Sequence, residues 1–461
     1  MAAVGIAGRS ITRRHLGAGL AVGAAGGAAA VLAACAWPAA APGGGVAKSC
    51  TGPLELAIPW AETEPPNGGL RRVADAFGAA HPRCPVRLAA VSPWGVERLA
   101  VGIAAGAAPD LTLLPPAAVT TCGPLGLIEP VDAQFKAAGL SGADFFPPVW
   151  ETMSFQGKVW HLPLQVDPNF PLFWNKATLR SAGLNPDAPP VTVGELDQMA
   201  DQLSQDSGGQ WERLGFIPWG WYGIANAFTT AAYMFGGSFY DRSRDRVTFN
   251  DPQVVRAAEW MTGWAQRLRM DTIPPEFAGT NPATLLAGGK LAFHPLVSID
   301  LPLARRENPG LELGYGPLPA VAPGQPGPVW TGGWHVAVVA GSKRKDEAWE
   351  LLRWLGASDE GTLAVARNLG GLPGYAKSPG LDELARDPNA AAHVEAVRRA
   401  KFLPPDFYLP VTIDYAPFVE SLAGRRSVQS ALDEMTGQTQ RRLDQRGAPP
   451  GQGQGQGQQR R

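Results

Sequence analysis

Leu54-Glu55-Leu56-Ala57-Ile58-Pro59-Trp60 is a short apolar run ending against a loop that carries Gly and Pro, and it has the length of a buried strand. A helical pattern from Leu70 to Ala80 follows, then a second apolar run, Val86 to Val91. Val96 to Ala105 repeats the helical spacing and leads into Pro109-Asp110-Leu111-Thr112-Leu113-Leu114, a third strand. This alternation specifies an α/β layer with parallel strands, in which loops at the carboxyl ends of strands line the ligand crevice. Trp60 to Glu64, Ser92 to Gly95 and Leu114 to Ala117 stand at such ends.

Outward from this stretch the chain stays globular. It has 461 residues, 45% hydrophobic and 18% charged, enough for two domains with buried cores. Lys and Arg number 40 against 41 Asp and Glu, a balance that disfavours nucleic acid or an anionic membrane surface as partner. Thr192 with Glu195 three residues on predicts a capped helix to about Ser204. Gln253 to Leu268 and Asp346 to Leu355 read as further helices whose tryptophans, Trp260, Trp264, Trp349 and Trp354, belong to the core.

The two ends read differently. Residues 1–35 have the form of an export signal: Arg13 and Arg14, then small and apolar residues from Leu16 to Ala34, with no acid. Thr12-Arg13-Arg14-His15-Leu16 resembles a twin-arginine motif, and Leu32-Ala33-Ala34-Cys35 resembles a lipobox, which makes Cys35 the expected site of lipidation. Residues 36–49 then form a flexible tether, and residues 447–461, rich in Gly and Gln, a disordered tail. A lipid anchor ahead of a tether describes a protein held on the outer side of a membrane.

The remaining cysteines are Cys50, Cys84 and Cys122, with no C-x-x-C and no His at ligand spacing, so a metal site is disfavoured. Cys50 and Cys84 each stand just before a run read as one of two neighbouring parallel strands, and a disulfide between them is expected. Cys122 falls in a helical stretch and reads as a small buried hydrophobe.

No P-loop, G-x-S-x-G, H-E-x-x-H or strand-following G-x-G-x-x-G occurs, so nothing nominates a nucleophile, and no cofactor is expected. Tryptophan is abundant instead: 15 against 7 Tyr, several in loops beside Gly or Pro, namely Trp60, Trp94, Trp219, Trp221, Trp330 and Trp334. Flat aromatic faces suit the apolar faces of sugar rings, and neighbouring carboxylates suit their hydroxyl edges. Packing between domains is the competing role for each single loop tryptophan. Pro218-Trp219-Gly220-Trp221-Tyr222-Gly223 points more strongly to ligand, because an extended or turning chain does not bury three large rings on one face.

Four stretches carry a resemblance. They are Leu162-Pro163-Leu164-Gln165-Val166-Asp167 with Leu172-Phe173-Trp174-Asn175-Lys176 and Ala182-Gly183-Leu184-Asn185-Pro186; Leu286-Ala287-Gly288-Gly289-Lys290-Leu291-Ala292-Phe293; Thr331-Gly332-Gly333-Trp334 with Gly341-Ser342-Lys343; and Gly371-Leu372-Pro373. Their order resembles the sugar-binding family of extracellular solute-binding proteins of ABC importers, which includes maltose and oligosaccharide binders. One departure is Ile299, in the segment His294 to Asp300, where the family commonly has an aromatic.

The resemblance implies an α/β fold built as a two-lobe clamp with a hinge and several crossings. Lobe 1 is expected at 50–166 plus 291–332 and lobe 2 at 167–290 plus 333–446. It implies a non-enzymatic receptor, monomeric, that binds a sugar or oligosaccharide between lobes and presents it to a permease. Trp60, Glu62, Trp94 and Asp110 are then expected on the first lobe's rim, though Asp110 has a cap on a helix or turn as its competing role. Asp167 is expected to accept sugar hydroxyls, with hinge backbone as the alternative. Trp219, Trp221 and Tyr222 would form a stacking platform, and Trp334 the floor, its two preceding glycines letting backbone approach ligand. A polyamine caged by Asp167, Glu62 and tryptophans remains an alternative ligand, as does a secreted glycoside hydrolase an alternative function; scattered Tyr residues make ferric iron a weak candidate.

Overall fold

The computed structural model describes residues 50, 52–60, 65–91, 95–169, 171–220, 222–322, 324, 329–400 and 413–446. Cys35 with the signal, the tether, the tail, and the candidates Glu62, Trp94 and Trp221 lie outside the described residues.

The run around Leu56 forms the strand Leu54–Ile58, flanked in parallel by Val86–Ala90 and Leu111–Leu114, with helices Pro65–Ala80 and Val96–Ala104 as the connections. Leu54, Leu56, Ile58, Leu111, Leu113 and Leu114 are buried, whereas Val86–Ala90 at the sheet edge is only partly so. That contrast explains why the inner strands are nearly continuous in apolar residues. Two later strands complete the sheet: Trp330–Val338 runs antiparallel to Leu111–Leu114, and Leu162–Asn169 pairs antiparallel beyond it. At the amino ends of the first two strands Cys50 and Cys84 are joined by a disulfide, their Cα atoms 5.5 Å apart. Burial pushes the Cys122 thiol up to about 12, so this cysteine stays protonated and inert.

A second, smaller sheet places Leu172–Asn175 between Phe293–Pro295 and Leu313–Gly316, antiparallel to both. Helices Val193–Leu203, Ile224–Met234, Pro252–Arg267, Ala416–Leu422 and Val428–Arg446 surround it. Thr192 accepts from the Glu195 N–H at 3.1 Å while Glu195 reaches back to the Thr192 N–H, the reciprocal cap that the spacing predicts. The Trp260 and Trp264 indoles both donate to Asp197, at 2.9 and 2.7 Å, so these two rings are bound into this layer rather than toward a ligand.

Among the described residues two large hydrophobic cores result, as a two-lobe clamp requires, with a smaller cluster around Leu114, Cys122 and Val339, but packing divides the chain differently from the expected segments. Leu291 to Phe293 and Leu318 join the second core, and Ala348 to Val397 join the first. The reason is the direction of Trp330–Val338. Its carboxyl end lies against Leu111–Leu114, so the helices that follow, Lys345–Ala357, Asp359–Leu369, Pro379–Ala385 and Pro388–Arg399, emerge on the first sheet. A Cβ on Gly356 would stand 2.6 Å from Leu162 Cβ, and one on Gly69 would meet the Asn368 carbonyl at 2.8 Å, which shows how closely these helices seat. Past this helical run, residues from Ile413 to Leu443 pack on the second core. No helix of the described residues is long and apolar enough to cross a membrane.

Candidate functional site

The strands Leu162–Asn169 and Trp330–Val338 run between the two cores, and their pairing builds the site. Side chains alternate along a strand, so Gln165 and Asp167 share one face. Register sets Trp334 opposite Gln165 and Gly332 opposite Asp167 on that same face. Gly332 contributes no side chain opposite Asp167. Gln165 Nε2 donates to Asp167 Oδ2 at 3.1 Å. Gly333 has φ of 118°, and a Cβ there would lie 2.3 Å from the Gln165 carbonyl oxygen and 2.8 Å from Val166 Cα. Strand against strand is what this glycine permits, rather than the close approach to ligand expected from the sequence.

Trp60, just past the carboxyl end of Leu54–Ile58 and 8% exposed, meets Trp334 edge to face with ring centroids 5.5 Å apart. From the second half comes Tyr222, in the left-handed region at φ 52° and half-buried against the second core. Its hydroxyl donates to Asp300 Oδ2 and accepts the Val297 N–H at 3.0 Å, while Asn281 Nδ2 donates to Asp300 Oδ1 at 3.3 Å. These bonds hold Tyr222 in a backbone conformation that costs about 1–3 kcal/mol for a residue with a Cβ. His294 lies with its ring 6.4 Å from that of Tyr222.

Several polar atoms in this region are buried with no hydrogen-bond partner among the described residues: Asp167 Oδ1, Gln165 Oε1, Thr331 Oγ1, Ser298 Oγ and both ring nitrogens of His294. Such groups are costly, about 1–3 kcal/mol each, unless something arrives to satisfy them. Burial pushes the Asp167 carboxyl up to about 7, the neighbouring Asp300 charge adds to the rise, and the Gln165 hydrogen bond opposes it. Asp300 is raised by burial, against the pull of Tyr222 and Asn281. Burial holds His294 neutral, pushed down to about 3. Among the described residues no group of three or more His, Cys, Asp or Glu converges as metal ligands would.

A pH dependence follows. Between the ordinary Asp value, about 4, and about 7 the native Asp167 carboxyl keeps a proton that the unfolded chain releases, so unfolding free energy falls as pH rises through that window. Burial of neutral His161, His294, His335 and His393 acts in the opposite sense below about 6.5, so the test is differential: by scanning calorimetry the melting temperature of Asp167→Asn is expected to rise relative to that of the parent between pH 5 and pH 8. An equal change with pH in both proteins would show that Asp167 does not titrate there.

Of the residues predicted from sequence, Trp60, Asp167, Tyr222 and Trp334 converge here. Trp219 packs half-buried on the second core. Asp110 is elsewhere. Standing before Leu111–Leu114, it occupies the amino end of the sheet, where its carboxylate accepts the Glu55 N–H at 3.0 Å and the Ser342 hydroxyl at 2.7 Å and lies 3.6 Å from Arg344. It is a structural bracket, on the opposite edge from Trp60. Gln165, His294, Ser298 and Asp300 join the site without having been singled out. Gln165 was legible as Asp167's neighbour two positions back on one strand; Asp300 sits beside Ile299, which turns into the first core while its neighbours carry the polar contacts.

Comparison with known proteins adds to this geometry. Residues 72–392 match the model of the bacterial extracellular solute-binding proteins. A maltotriose-binding protein of Pyrococcus abyssi is 22% identical over 343 residues, 73% of this chain and 68% of that protein. Among solved structures, CpMnBP1 with mannotriose bound superposes with a TM-score of 0.74 at 25% identity, covering 84% of this chain and 99% of that one. The GacH receptor of Streptomyces glaucescens, known unliganded and with acarbose, superposes with a TM-score of 0.68 at 22% identity over 86% and 99%.

Proposed function

The chain belongs to the bacterial extracellular solute-binding protein family, and on that premise we propose that it captures a carbohydrate between its halves and delivers it to the permease of an ABC importer. The observation that carries this reading is the shared face of the crossing strands. There a tryptophan pair adjoins carboxylate and amide oxygens that are buried without partners among the described residues, Asp167 Oδ1 and Gln165 Oε1. Sugars present both complements at once: hydroxyl donors for the oxygens and apolar C–H faces for the rings. Trp219, Trp221 and Tyr222, with Glu62 and Trp94, are proposed as further ligand contacts on their residue chemistry alone.

Binding without turnover is part of the proposal, since the relatives are solute-binding proteins. Cys35 is the proposed point of lipid attachment, residues 36–49 the tether to a monomeric receptor, and the outer face of the cell membrane its location.

Intrinsic fluorescence and thermal melting of the chain from Ala47 onward, against mono- and oligosaccharides, test the reading. A saturable sugar that raises the melting temperature and is recovered unchanged supports it, because a ligand bound only by the native state must stabilise that state. Cleavage of the sugar would instead make this an enzyme. Trp334→Ala is expected to weaken sugar binding about 10- to 100-fold, the worth of one stacked ring with its buried area, with the fold retained by circular dichroism. Unchanged affinity would remove the stacking role.

A further inference from the structure

Charge accounting at the same site narrows the ligand. Asp167 and Asp300 are 9% and 6% exposed, and the Asp300 charge acts on Asp167. The segment Gly370 to Leu372 packs beside a neighbour of each: the Leu372 carbonyl accepts the Val166 N–H at 2.8 Å, and a Cβ on Gly370 would stand 3.6 Å from the Ser298 carbonyl oxygen. Two buried carboxylates at close quarters ordinarily come with a cation. Among the described residues neither forms an ion pair, and no positive charge acts on either. His294 supplies none, being neutral.

Asp300 has its hydrogen bonds filled by Tyr222 and Asn281, yet among the described residues Asp167 keeps Oδ1 buried and unpartnered, next to the equally unpartnered Gln165 Oε1. Unfilled acceptors, two carboxylates and electron-rich ring faces on Trp60 and Trp334 together describe a receptacle for a positively charged donor. We propose that the sugar this site takes carries a protonated amino group, seated at Asp167 Oδ1 with Asp300 supplying the second negative charge. The inference rests on the carbohydrate reading above and names its substrate class: an amino sugar, or an oligosaccharide containing one.

Isothermal titration at pH 7 with matched pairs separates the two levels. The pairs are glucosamine with glucose, galactosamine with galactose, mannosamine with mannose, and the glucosamine trimer with cellotriose, with spermidine as an amine that has no ring. At least one aminated member is expected to bind about 30-fold tighter than its neutral partner, the range of a charge-assisted hydrogen bond in a buried site. Asp300→Asn, and independently Asp167→Asn, should shrink that ratio to about threefold or less. The wild-type ratio needs no variant, so a misfolded mutant cannot mask the result. Neutral members binding as tightly as aminated ones would overturn the amine inference and leave the carbohydrate reading standing. Binding of spermidine with no sugar of either kind would overturn both.

Discussion

Gly333→Ala is expected to destabilise the protein by about 4 kcal/mol, and sugar binding should be lost with it. The estimate adds about 1–3 kcal/mol for an L-residue held in the positive-φ region to about 1–3 kcal/mol for overpacking. The atoms a new Cβ would strike, the Gln165 carbonyl oxygen and Val166 Cα, are backbone of the neighbouring crossing strand and have no rotamer through which to escape. Yielding therefore means separating the two strands that join the halves and that carry Asp167 and Trp334. Urea titration followed by circular dichroism measures the loss. A midpoint within experimental error of the parent would mean that the strands part without cost, and the account of this glycine would fail.

Removing the disulfide should cost nearly as much. Cys50 and Cys84 are 34 residues apart, for which loop-closure entropy amounts to about 3.8 kcal/mol of stabilisation. Cys84→Ser, or reduction of the parent, is expected to lower the unfolding free energy by about 3–4 kcal/mol while sparing ligand affinity, because the bridge lies at the amino ends of its strands and the site at the carboxyl ends. Equal stability with and without reductant would show that the bridge does not constrain the unfolded chain. A large drop in affinity would show instead that the two ends of this sheet are mechanically coupled.

The first sheet was readable from sequence because its strands are local, nearly continuous apolar runs separated by helices of ordinary length, and position along those strands pointed to Trp60. The same rule disfavours Asp110, since a residue that precedes a strand in this parallel set occupies its amino end. Trp334 and Asp167 were found through loop glycines and a crossing segment, but their pairing across strands depends on a register that periodicity cannot supply. Asp300 was beyond reach for a different reason: its role comes from Tyr222 and Asn281, 78 and 19 residues away, and no pattern near Asp300 records either contact. The helices between 345 and 399 failed in a third way. An amphipathic helix declares that one face is buried without declaring against which sheet, and here the strand direction before it decides.

The interleaving of the two cores also bears on how the molecule is made. A chain emerging from the ribosome in order supplies the first core with its last buried residue only at Val397 and the second only at Met435. Neither half can close on an early portion of the polypeptide, as an independent amino-terminal domain would. Once residue 114 is made the strand 54–58 has both its partners, whereas 111–114 lacks its antiparallel neighbour until 330–338 is added. The nascent protein is thus kept pliant until Val397 and Met435 have been made.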